Sequence, residues 1–177
     1  MVIDVLRKRR SIRKYKAKAV EAEKIDLLVE AALRSPSSRG FNPWEFVVVD
    51  DAATLERLSR AKPHGASFLA GAPLAIAVCP LPDASDVWVE DVSIVTLIVH
   101  LTAADLGLGS CWIQLRKRDH DATRTAGAYA ADVLGLPAGR EVSAIMAIGY
   151  PDQDPAPHPE STLQRDKISV NRYGTRG

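Results

Sequence analysis

Residues 86–106 read DVWVEDVSIVTLIVHLTAADL, enough for about six helical turns, and after Asp91 the run is apolar on nearly every side. A helix of that kind has no face to offer to water, so it must be covered all round. Two arrangements achieve this: the centre of a monomer's core, or a subunit interface. The interior of a 177-residue chain is limited, which makes the interface the natural partner. A membrane span is excluded. The apolar part, 92–106, is interrupted by Ser93, Thr96, His100, Thr102 and Asp105. It is also shorter than the roughly 20 residues needed to cross a bilayer.

Working outward from this helix, the flanks alternate between helical and strand patterns. Residues 3–9 form a short helix candidate. Residues 21–34 carry Ile25, Leu28, Val29, Ala32 and Leu33 at helical spacing, and Ser35-Pro36 ends the run. The β-branched stretch 45–49 reads as a strand, and Asp50 and Asp51 can cap a helix over 52–60. A buried strand is expected at 73–79, a third strand at 110–115, a helix at 122–134 ended by Gly135 and Pro137, and a last strand at 142–148. The order predicts an α+β fold, one mixed sheet sandwiched by helices, in a single domain over 1–177 with an extended tail from about 151.

The charge balance narrows the function classes. Lys and Arg number 23 against 22 Asp and Glu, a formal charge of +1. That argues against a general nucleic-acid or acidic-surface binder, although a local basic patch spans 7–16. The N-terminal residues lack the apolar core of a secretory signal, and a cytoplasmic location with no membrane partner is expected. Cys79 and Cys111 sit in apolar segments without metal-ligand spacing, so two buried thiols and no metal are expected.

Three stretches can carry chemistry. Arg9-Arg10-Ser11-Ile12-Arg13 places three guanidinium groups and a hydroxyl within five residues, a donor set suited to a phosphate dianion. A solvated basic turn is the alternative. The loop Ser35-Pro36-Ser37-Ser38-Arg39-Gly40-Phe41-Asn42-Pro43-Trp44 can present small donors and acceptors to a heteroaromatic edge, or simply turn the chain. Gly107-Leu108-Gly109-Ser110-Cys111-Trp112-Ile113-Gln114 is no dinucleotide fingerprint. Trp112 stands at the third glycine position, and the segment follows a helix instead of opening one. A tight turn delivering a strand close to a ligand is left. Of the four histidines, His100 lies inside the apolar helix and is expected to be a hydrogen-bonded interior side chain.

In this order, together with Phe68-Leu69 before Ala72-Pro73 and with Ala147-Ile148-Gly149-Tyr150-Pro151, the pieces resemble the nitroreductase family of FMN-dependent oxidoreductases. The resemblance implies an intertwined homodimer with two FMN sites at the interface. It implies that Arg9, Arg10, Ser11 and Arg13 contact the phosphate and ribityl chain. Pro36, Ser37, Ser38 and Gly40, with Asn42 in the same loop, would reach the flavin from the other subunit. Ile113 and Gln114 would approach the ring, and Arg165 and Lys167 would close on the phosphate. Gly40 stands where the family often has Asn, and the polar Asn and Lys of some members are missing around Gly65 and Phe68.

In such a protein the cofactor performs the redox chemistry. The resemblance implies a ping-pong cycle, with hydride from NADH or NADPH to FMN and then electrons to an electrophilic small-molecule acceptor such as a nitroaromatic, quinone or enone. Two alternatives stay open: another use of reduced flavin, such as flavin fragmentation or dehalogenation, and a non-catalytic flavin-binding module.

Overall fold

Leu74–Pro80 and Ala144–Gly149 are buried at every position. Only strands covered on both faces tolerate such unbroken runs. The computed structural model describes residues 1–175 and places these two strands, β2 and β4, at the centre of a four-stranded sheet. The outer strands are β1, Trp44–Val49, and β3, Gly109–Gln114, and the order is β1-β2-β4-β3. Alternate residues serve the two faces. Ala75, Ala77, Cys79, Ile145 and Ala147 pack under α3 (Ala52–Leu58) and α5 (Ala126–Leu134). Leu74, Ile76, Val78, Met146 and Ile148 pack under α2 (Ala22–Leu33) and α4 (Trp88–Asp105). Helix α1, Val2–Lys8, leads in.

The α+β fold with helices on both faces is as expected, but the sheet is not mixed. All three strand pairings are antiparallel. The helix α4 does connect β2 to β3 in parallel sense, yet β4 inserts between them and pairs antiparallel with each. The single parallel bridge among the described residues joins Ser11 to Ser110, where the N-terminal segment runs beside β3.

Nor is α4 covered all round within one chain. Val92, Val95, Val99 and Ala103 are buried, whereas Ile94 and Leu97 are exposed, as are Ile3 and Leu6 of α1. Among the described residues no helix is long and apolar enough to cross a membrane. Both cysteines are free and buried. Among the described residues beyond Tyr150 there are two short helical turns, Glu160–Thr162 and Arg165–Lys167, and residues 156–175 are exposed.

Candidate functional site

The site begins where α4 ends. The amide of Leu108 reaches the Ala103 carbonyl and that of Gly107 the Ala104 carbonyl, with Gly107 at φ +74°. This left-handed cap redirects the chain into β3. Gly109 opens the strand, and a Cβ there would sit 2.7–2.8 Å from three carbons of Ile12. Glycine at 109 thus lets the segment 10–15 lie against β3. The Ile12 amide donates to the Ser110 carbonyl at 3.0 Å, and the Tyr15 hydroxyl donates to the Ile12 and Ala147 carbonyls.

On one side of this segment, Arg9, Arg10, Ile12, His100, Ser110, Gln153 and neighbouring residues line a cavity of about 370 Å³. That volume lies at the low end of small-ligand clefts, about 300–1,000 Å³. Arg9 donates to His100 Nε2 at 2.9 Å, and His100 Nδ1 lies 2.5 Å from Ser110 Oγ. The Arg10 guanidinium donates to the Ala156 carbonyl, and the Arg13 amide to Gln153 Oε1 at 3.1 Å. Among the described residues, no ion pair involves Arg9, Arg10 or Arg13.

Ser11 and Arg13 turn to the other side. Ser11 lies beside the Cys111 thiol, whose pKa burial pushes up. The Arg13 guanidinium stands 5.8 Å from the centre of the Phe68 ring. Ile113 is buried in the core, so only its backbone can face a ligand. Gln114 is tied on three sides: its Oε1 accepts from Trp112 Nε1, its Nε2 donates to the Arg116 carbonyl, and its own carbonyl accepts from Lys62 Nζ.

The loop Pro36–Asn42 lies at the opposite end of α4. Ser37 Oγ accepts from the Asn42 amide and donates to Asn42 Oδ1, both at 2.9 Å. The Ser38 amide donates to Asp91 Oδ1 in the first turn of α4 at 2.9 Å. Arg39, Gly40 and Asn42 all adopt positive φ, which exposes the tip. Asp91 and His100 are nine residues apart, about 14 Å of helix rise. Within one chain the loop and the arginine cavity therefore do not meet. Arg165 and Lys167 lie in the exposed tail, where Arg165 pairs with Glu160, and neither lines the cavity.

Sequence reasoning did not single out Ser110, Asp91 or Lys62. Asp91 carried a faint signal, a carboxylate at the start of an apolar run. Lys62 supplies a cation on the Cys111 side of the segment, three residues upstream of Gly65, where the stretch searched for one begins.

His100 is interior and hydrogen-bonded, as expected. Burial first, and then the Arg9 charge, push its pKa down from 6.5 to about 4. Between those values the unfolded chain binds a proton that the folded one refuses, so this residue's contribution falls as pH drops from 6.5 towards 4. Asp4 and Asp105 line the same cavity and do not reverse the sign. In a thermal denaturation series, His100→Gln is expected to lose melting temperature less steeply across that window than the wild type. Equal slopes would mean that the folded imidazole titrates near its ordinary value.

Residues 6–64 and 60–150 match the model of the nitroreductase family. An Archaeoglobus fulgidus protein with the provisional name NADH dehydrogenase/NAD(P)H nitroreductase is 34% identical over 150 residues, 82% of this chain and 83% of that protein. The solved structure of an FMN-dependent nitroreductase from Clostridium difficile R20291 is 44% identical. It superposes with a TM-score of 0.94 over 97% of this chain and 99% of that one. An NADPH:FMN oxidoreductase from Vibrio harveyi, solved in complex with NAD+, shares the fold at a TM-score of 0.81 and 22% identity, covering 99% of this chain and 79% of that one. Matched family residues, sequence relatives and fold agree: this chain belongs to the nitroreductase family.

Proposed function

We propose that the chain is an FMN-dependent oxidoreductase whose flavin lies between two subunits. The observation that carries the reading is the cavity at Arg9 and Arg10, two guanidinium groups with no carboxylate partner among the described residues. Unpaired guanidinium forks beside a cavity fit a phosphate dianion. The absence of a nucleophile or general base in the motifs also suits a reaction in which bound FMN would supply the redox chemistry, taking two electrons from NADH or NADPH and passing them to an electrophilic small molecule.

The chain's own residues bind and orient. Arg9 and Arg10 would hold the phosphate, Ser11 and Arg13 would contact the ribityl chain, and the Ile113–Gln114 backbone with Lys62 would border the ring. Lys62 and Arg13 would place positive charge beside a bound flavin, where it favours electron uptake. Arg165 and Lys167 sit on the exposed tail and would close on the phosphate from there.

A second copy of the chain completes the site. The loop Pro36–Asn42 and the arginine cavity lie at opposite ends of α4, so a partner whose α4 packs antiparallel brings its loop to this cavity. The exposed Ile94, Leu97, Ile3 and Leu6 provide an apolar face for that contact. The purified protein is expected to be yellow, to release FMN on denaturation, and to be reduced by NADH or NADPH in stopped-flow mixing. The double change Ile94→Glu/Leu97→Glu is expected to convert a dimer into monomers in sedimentation velocity and to strip the flavin. A colourless wild type that takes up no FMN would sink the assignment. A wild-type monomer that retains FMN would sink the shared site.

A further inference from the structure

The hydrogen bond between Arg9 and His100 joins residues 91 positions apart and ties the N-terminal segment to α4 at the cavity. Its direction is determined by chemistry. Arginine has only donors, so His100 Nε2 must carry a lone pair, and the imidazole proton sits on Nδ1. From there it donates to Ser110 Oγ, a buried atom on β3. Ser110 is anchored in turn, because its carbonyl accepts the Ile12 amide. The result is a one-way chain, Arg9 to His100 to Ser110, anchored on helix α4 and strand β3.

The choice of acceptor has an electrostatic consequence. A carboxylate at this position would also hold the guanidinium, but it would cancel the charge that attracts an anion. Asp4, Asp105 and Asp154 line the same cavity, and none forms an ion pair with Arg9. A neutral imidazole takes one N–H of five and leaves the full positive charge and the remaining donors facing the cavity.

We infer that His100 is a positioning residue for the flavin phosphate: its neutral Nε2 aims the Arg9 guanidinium into the cavity without neutralising it, and Ser110 holds the ring in the tautomer this requires. The inference rests on FMN binding at this cavity.

The test compares two ligands that differ by one phosphate. Flavin-free wild type, His100→Leu, His100→Gln and Ser110→Ala are titrated with FMN and with riboflavin, and binding is read by fluorescence quenching. His100→Leu is expected to weaken FMN about tenfold, the scale of one charge-assisted hydrogen bond, and to leave riboflavin binding unchanged. His100→Gln retains an acceptor and recovers most of the loss. Ser110→Ala lies between. Equal losses for both ligands would show a merely structural role, and no loss for FMN would show that Arg9 needs no support; either overturns the inference. A wild type that binds neither ligand overturns the FMN reading itself, and the inference with it. Should His100→Leu fail to fold, the imidazole 15N spectrum of the wild type at pH 7 decides. A proton on Nδ1 of His100 supports the inference, and a proton on Nε2 overturns it.

Discussion

Replacing Arg9 and Arg13 together by alanine is expected to weaken FMN binding at least a hundredfold. Arg9 faces the cavity beside His100, and Arg13 lies on the other side of the same segment over Phe68, so in the proposed site the two would address different parts of the ligand, phosphate and ribityl chain. Hydrogen bonds to charged groups contribute about 1.5–3 kcal/mol each, and two of them lost together amount to about 3 kcal/mol or more, beyond a factor of a hundred in affinity. Neither side chain belongs to the buried core, so the fold is expected to survive, and the apo variant should melt close to the apo wild type. Equilibrium titration with FMN is the measurement. A variant purified with wild-type flavin content would remove the arginine segment from the site.

Gly109→Ala is expected to damage stability and cofactor binding together. The added methyl would lie 2.7 Å from Ile12 Cγ1 and 2.8 Å from Cβ and Cγ2. Ile12 cannot yield easily, since it is buried and β-branched and its amide is held by the Ser110 carbonyl. Overpacking of this kind costs about 1–3 kcal/mol, which for a chain of this size lowers the melting temperature by roughly 4–8 °C at the middle of that range. Relief of the clash pushes the segment 10–15 away from β3 and carries Arg9, Arg10 and Ser11 with it, so FMN affinity falls as well. Gly107→Ala is the control. Its position has positive φ but nothing within 4 Å of a Cβ, so only backbone strain is expected there. Differential scanning calorimetry of the two variants separates the effects. A Gly109→Ala variant that melts with the wild type and keeps its FMN affinity would mean that Ile12 makes room for the added methyl.

Much of this architecture was legible beforehand because its signals are local. The apolar runs around Ala75 and Ala147 predicted strands, and Ser35-Pro36 marked the end of α2; that both strands are covered on both faces is read from the structure. The segment Arg9-Arg10-Ser11-Ile12-Arg13 was legible as a candidate anion site because guanidinium chemistry does not depend on the fold; that Arg9 and Arg10 line a cavity while Ser11 does not was not legible. What misled was the alternation of helices and strands, which suggested parallel neighbours. Strand β4 comes last in the chain yet sits between β2 and β3, and no periodicity reports such an insertion. The loop Pro36–Asn42 was legible as a candidate. Its distance from Arg9 within one chain was not, because that separation is the length of α4 between Asp91 and His100.

By itself the amino-acid order determined the element types, the apolar faces and the chemistry of the arginine segment, since backbone preference and side-chain period act over a few residues. Only the tertiary structure decided that Arg9 finds His100 and Ser110, that Lys62 reaches the Gln114 carbonyl, and that Ile94 and Leu97 are left uncovered. Those outcomes depend on which faces pack together and in what register. Burial drives that choice over the whole chain at once, and a local stretch of sequence records that a face is apolar without recording what will cover it.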